Sequence, residues 1–175
     1  MSSQSVVATA LAEVESGYQE GPNNDTKYGK WFGLNNQPWC AMFVSWCFGQ
    51  NNLSALVAGQ TKKGFASCDA GLKWFAKNSQ LVPVGQAQEG DIAFFQFDED
   101  SQPDHVGIVV KNNTQLKRLV VAEGNTAGDN KGSQSNGDGV YLKKRSYNLI
   151  MAVARPKYPA SKPAAKSPDE ARAGK

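Results

Sequence analysis

The chain has 175 residues and a formal net charge of +3, and four bases against two acids in the last 17 residues account for +2 of it. The nearly neutral body argues against a nucleic-acid binder relying on a basic face, and three cysteines without a Cys-x-x-Cys pair argue against a disulfide framework or a structural zinc site. The length suits one domain with a core of its own. No apolar run behind a basic N-terminus marks a signal peptide, so synthesis and folding in a reducing cytosol are expected.

Residues 3–17 read as a helix. Val6, Val7, Ala10, Leu11 and Val14 recur at helical spacing, Ser2 or Ser3 supplies an N-cap, and Gly17 ends it. Residues 18–37 are polar and loop-like, broken by Gly21-Pro22-Asn23-Asn24-Asp25. Within them Tyr28-Gly29-Lys30-Trp31-Phe32-Gly33 reads as an aromatic, glycine-rich loop.

The next stretch organises the rest. Pro38-Trp39-Cys40-Ala41-Met42-Phe43-Val44-Ser45-Trp46-Cys47-Phe48 carries no charge and falls short of the about 20 apolar residues that span a bilayer. It predicts a buried helix, started after Pro38 and stopped by Gly49, Asn51 and Asn52. Cys40 then lies in the first turn, where free N–H groups and the helix dipole favour an anion. A thiol there tends toward thiolate. A buried cysteine is more often a small hydrophobe than a nucleophile. Cys47 is assigned to the core, and Cys68 to the core or the quiet end of a helix. Residues 67–78 predict a third helix, capped by Ser67 and anchored by Ala70, Leu72, Trp74 and Phe75.

The character then changes. Residues 91–97, 105–111, 118–123, 140–145 and 150–155 read as strands, separated by turns at Glu89-Gly90, Asn112-Asn113 and Gly137-Asp138-Gly139. Helices followed by strands indicate an α+β fold, with N-terminal helices packed on a five- to six-stranded antiparallel sheet. The folded domain is expected over 1–157, and 158–175, rich in Pro, Ala and Lys, as a linker or tail.

The single histidine, His105, opens an apolar strand. A hairpin turning at 113–115 puts it opposite Glu123 on one face, with Asn125 two residues on. A slip of one residue would send Glu123 to the other face. Histidine, carboxylate and amide are what a thiol nucleophile requires: a base that later protonates the leaving amine, and a group that holds the imidazole's tautomer.

Four segments in this order, Pro38-Trp39-Cys40-Ala41-Met42-Phe43-Val44-Ser45-Trp46, Glu89-Gly90-Asp91-Ile92-Ala93-Phe94-Phe95, Asp104-His105-Val106-Gly107-Ile108-Val109 and Glu123-Gly124-Asn125, resemble the CHAP family of cysteine, histidine-dependent amidohydrolases/peptidases. The resemblance covers roughly residues 5–155. It implies a papain-like fold related to NlpC/P60 peptidases and cleavage of amide bonds in bacterial peptidoglycan. By motif it implies Cys40 as nucleophile, His105 as base, Glu123 as orienter and Asn125 as a fourth polar member. Tyr28 matches a tyrosine that assists the oxyanion in the related peptidases. Trp39 is a candidate for the substrate groove, and the Cys40 backbone N–H is the better oxyanion donor on physical grounds.

Some family members bind calcium through acids just before the cysteine, but residues 29–39 hold none. Asn23, Asn24 and Asp25 offer one carboxylate, and Asp98-Glu99-Asp100 reads as a solvated loop tip, so no metal or other cofactor is expected. The missing signal peptide and the Pro/Ala/Lys stretch favour a phage endolysin, made in the cytoplasm and acting on the wall after release or export. Such enzymes usually carry a further wall-binding domain. The expected partner is peptidoglycan, with no nucleic acid, no membrane and a monomeric state. Two other readings stand beside this one: a non-catalytic wall-binding or virion module on the same fold, and a cysteine amidase or peptidase acting on other substrates.

Overall fold

A computed structural model describes residues 1–160; from residue 161 on, the expected tail lies outside the described residues. Helix α1 (Ser3–Glu15) starts at Ser2, whose side chain accepts from the Ser5 N–H while Ser5 answers to the Ser2 N–H. This reciprocal cap satisfies two otherwise free donors. Helix α2 (Lys27–Phe32) occupies the segment expected to be a loop. Thr26 caps it at one end and Gly33, at φ 95°, closes it at the other. Two good caps and tertiary packing offset the poor intrinsic helicity of six residues rich in aromatics.

Helix α3 (Cys40–Gln50) has eight of its eleven residues buried. A helix apolar on every side must be enclosed on every side. It packs against α1, α2 and two strands of the sheet. Truncating a core ring such as Phe43 to alanine would cost about 3–5 kcal/mol. The helix runs through Gly49, where a Cβ would lie 2.4 Å from the Trp31 ring, so the glycine is there for close approach rather than as a stop. Helix α4 (Cys68–Lys77) is capped by Ser67 as expected.

Six antiparallel strands follow: β1 (Leu81–Val82), β2 (Ile92–Phe95), β3 (His105–Asn113), β4 (Arg118–Thr126), β5 (Gly139–Ser146) and β6 (Ile150–Ala154). Their order across the sheet is β1-β6-β2-β3-β4-β5. The two-residue edge strand β1 is too short to leave a periodic signal. Ile92, Phe94, Val106, Ile108 and Ala122 join the helices in the main core, and Ala93, Phe95, Val109, Leu119 and Val121 form a smaller cluster on the opposite face. This is the α+β architecture that the order of elements predicts.

The register of β3 on β4 differs from the simple hairpin. Near the turn Lys111 faces Val120 and Asn113 faces Arg118; past a bulge Val109 faces Val121 and Ile108 faces Ala122. Continued inward, His105 comes level with Asn125, and Glu123 is its diagonal neighbour rather than its direct partner. The offset from expectation is two residues, which preserves the face. The bulge is what preserves it. Without the extra residue, the register at the turn would bring His105 level with Thr126 and turn Glu123 away.

Candidate active site

Pairing between β3 and β4 ends at Ile108 and Ala122. Beyond that point His105 and Glu123 occupy the rim of the sheet, both fully buried. Gly107 and Gly124 make room there. A Cβ on Gly107 would lie 2.8 Å from the Glu123 Cγ, and one on Gly124 would lie 2.6 Å from the Trp39 ring and 2.7 Å from the Phe43 Cβ. The second glycine lets the head of α3 settle onto the sheet.

The His105 Nε2 and Glu123 Oε2 are 3.0 Å apart. The remaining ring nitrogen, Nδ1, is buried and makes no hydrogen bond of regular geometry among the described residues. The Cys40 thiol is the other polar group close enough to influence the imidazole. Burial opposes charge on the imidazole, but hydrogen bonds and charges from Cys40 and Glu123 outweigh it and raise its pKa to about 9. The ring packs against the stacked pair Phe95 and Phe97, their centroids 5.9 and 6.0 Å from its own.

Glu123 has a second partner that the sequence pattern does not reveal. Arg145 on β5 donates through Nε to Oε1 at 2.8 Å and through Nη2 to Oε2 at 2.5 Å, and is itself almost fully buried. Burial pushes the carboxyl up, but the bonds from Arg145 and His105 hold it below the ordinary range. The two-pronged guanidinium fixes the carboxylate's plane as well as its charge. β5 carries its basic residues Lys143 and Arg145 inward and Leu142 outward, an inversion of the usual alternation. The apolar alternation Val140, Leu142 would send Lys143 and Arg145 outward, which is why the sequence pattern points away from Arg145.

Cys40 is the first residue of α3. Unlike α1, α2 and α4, this helix has no side-chain cap at its N-terminus. Its leading N–H groups are left for other acceptors. Cys68, the first residue of α4, places its sulfur 3.6 Å from that of Cys40. The thiol of Cys40 is held well below its ordinary pKa, chiefly by the hydrogen bond from Cys68, against burial and with help from His105 and Ala41. Cys68 is pushed well above its own, by that same bond, by burial and by the Cys40 charge. The contact between the two sulfurs thus favours charge on Cys40 rather than on Cys68. Cys68 lies at the end of a helix and packs against the core as expected, but it is not quiet, because its sulfur meets that of Cys40.

Asn125 is buried at the same rim, but in a left-handed conformation (φ 57°) that breaks strand alternation. Its Nδ2 donates to the Ser135 carbonyl, and Oδ1 has no partner among the described residues. Tyr28 is fully buried and its single hydroxyl proton is committed to Glu13. It stacks on Trp39, 5.2 Å away, and Trp39 is equally buried with its indole N–H donated to Glu20. These two rings support the head of α3 from beneath; neither presents a face to a substrate.

A groove of about 300 Å³ is lined by Leu34, Gln37, Pro38, Gln60, Ala66 and Ser67, the residues leading into Cys40 and Cys68. A larger hollow of about 650 Å³ between Glu20 and residues 127–138 is lined by none of Cys40, Cys68, His105, Glu123, Asn125 and Arg145.

The family model described as CHAP domain matches residues 32–125, more than half of the chain. The chain belongs to the CHAP family. The match spans Cys40, Cys68, His105, Glu123 and Asn125, and the α+β architecture agrees with the papain-like fold of CHAP domains. Membership carries the general character of a cysteine- and histidine-dependent amidase or peptidase, with peptidoglycan as the substrate class it suggests. No curated protein matches the chain.

Asp98, Asp100 and Asp104 bring carboxylate oxygens within 4.8 Å of one another in the loop before β3. Each accepts hydrogen bonds from backbone N–H groups of its own loop, which accounts for the cluster as a turn. Asp25, the one carboxylate of the Asn23-Asn24-Asp25 run, is engaged by Lys30 and Asn35. Among the described residues no helix is long and apolar enough to cross a membrane.

Proposed function

We propose that this protein hydrolyses an amide bond of bacterial peptidoglycan, either the N-acetylmuramoyl–L-alanine amide or a peptide bond of the stem or cross-bridge. The observation that supports it best is the connected line Cys68–Cys40–His105–Glu123–Arg145. It holds a thiolate and a protonated imidazole side by side near neutral pH, with each buried charge partnered.

The Cys40 thiolate attacks the amide carbonyl, and the oxygen's developing charge is received by the free N–H groups at the uncapped head of α3. His105 protonates the leaving amine as the C–N bond breaks, giving a thioester on Cys40. His105 then takes a proton from water, the hydroxide attacks the thioester, and the thiolate is restored. Glu123, clamped by Arg145, stabilises the imidazolium throughout. The groove beside Pro38 and Ser67 receives the peptide. The enzyme acts as an endolysin, made in the cytoplasm and reaching the wall after release or export.

Digestion of purified peptidoglycan by the wild type and by Cys40→Ala, with mass spectrometry of the fragments, tests this. New termini released only by the wild type identify the bond. Inert wild type on several wall chemotypes, with Cys40→Ala still binding walls, would replace the hydrolase with a binding module.

A further inference from the structure

We propose that Cys40 and Cys68 form a reversible disulfide that switches the site off under oxidation and protects its nucleophile. The inference rests on the two sulfurs, 3.6 Å apart at the heads of two helices. It uses the hydrolase reading only for its effect on activity, because the bond itself is read by mass.

A bonded pair requires a separation of about 2.05 Å. The sulfurs must therefore close by roughly 1.5 Å, a distance within reach of side-chain rotation at two short cysteine side chains. Hydrogen peroxide is the oxidant considered. The Cys40 thiolate attacks one peroxide oxygen; an S–O bond forms, the O–O bond breaks, and the departing hydroxide takes up a proton. Cys40 becomes a sulfenic acid, oxidised by two electrons, and the peroxide becomes water. The Cys68 sulfur then attacks the Cys40 sulfur. An S–S bond forms, the S–O bond breaks, and hydroxide leaves with the Cys68 proton as a second water. Dithiothreitol reverses the change, supplying two electrons and two protons and closing to its own cyclic disulfide.

The order of events is built into the site. While Cys40 is a thiolate, its charge and its hydrogen bond keep Cys68 protonated and unreactive. Formation of the neutral sulfenic acid removes that charge and weakens the bond to it, which eases deprotonation of Cys68. The resolving thiol is thus released by the oxidation it resolves. Cys47 is fully buried in the core and has no such partner, so it serves as an internal control.

Wild type and Cys68→Ser are treated with hydrogen peroxide, then analysed by intact mass, by alkylation in denaturant, and by wall digestion before and after dithiothreitol, each scaled to its own untreated rate. The wild type is expected to lose two hydrogens, retain one alkylatable thiol and its rate only after reduction. Cys68→Ser is expected to gain oxygens at Cys40 and stay inactive after dithiothreitol. Wild type that gains two or three oxygens with both cysteines unlinked, or recovers no better than Cys68→Ser, overturns the proposal. A disulfide with wall digestion unaffected supports the pair and removes Cys40 from the role of nucleophile instead.

Discussion

Replacing Arg145 with methionine separates a buried ion pair while keeping most of the side chain's volume. Glu123 is fully buried, and both of its oxygens are engaged by the guanidinium. Removing the cation leaves a buried carboxylate whose only other partner among the described residues is the imidazole, and breaking such a pair costs about 3–5 kcal/mol. For a chain of this size that is a fall in Tm of roughly 6–20 °C. The variant Glu123→Gln/Arg145→Met has no stranded charge and is expected to regain most of the loss, giving a coupling well above the about 0.5 kcal/mol seen for independent sites. The pH dependence follows with its sign. Glu123 is held below its ordinary pKa, so the stability it contributes is present above the unfolded value and lost as pH falls through the folded one. In Arg145→Met that loss moves to higher pH, and the acid limb of activity moves with it. Urea denaturation of wild type, Glu123→Gln, Arg145→Met and the double variant at neutral pH, with pH–rate profiles for wild type and Arg145→Met, reads both effects. A loss under about 1 kcal/mol, or a double variant no more stable than the single, would refute the role given to this arginine.

The Cys40–His105 pair predicts different pH behaviour for alkylation and hydrolysis. Iodoacetamide should react fast with Cys40 near pH 6 in a manner that depends on His105, unlike a free thiol of pKa about 8.5. Hydrolysis should decline as pH passes about 9 while alkylation continues, since the thiolate survives loss of the imidazole proton. For stability the sign is the reverse of Glu123: the raised His105 pKa contributes fully below about 6.5 and is lost as pH rises through about 9. In Gly107→Ala the new Cβ meets the Val121 Cγ1 at 2.6 Å and the Glu123 Cγ at 2.8 Å. It should cost about 1–3 kcal/mol and reduce kcat more than it raises KM; unchanged kcat would show that Glu123 tolerates displacement. Chelation of divalent cations is expected to leave wall digestion unchanged, because base, nucleophile and orienting carboxylate are side chains. A rate abolished by chelator and restored by calcium would point instead to Asp98, Asp100 and Asp104.

The helices with strong local signals, α1, α3 and α4, were legible because apolar spacing and Ser caps act within a few residues. The α+β order and the five longer strands were legible for the same reason. α2 was not, since its caps at Thr26 and Gly33 enclose a segment whose composition reads as loop. The chemistry-bearing residues Cys40, His105, Glu123 and Asn125 could be singled out by type, order and motif. Their geometry could not.

Local sequence thus determined that a cysteine heads a buried helix and that a lone histidine opens an apolar strand. Tertiary structure decided what surrounds them. One extra residue in β3, between Val109 and Lys111, keeps Glu123 on the face of His105. The fifth strand in chain order supplies Arg145, and a separate helix brings Cys68 to Cys40. These contacts join residues 22 to 28 positions apart. The physical reason is that side-chain periodicity reports only which way a residue faces within its own element, whereas register, bulges and helix docking set which faces meet.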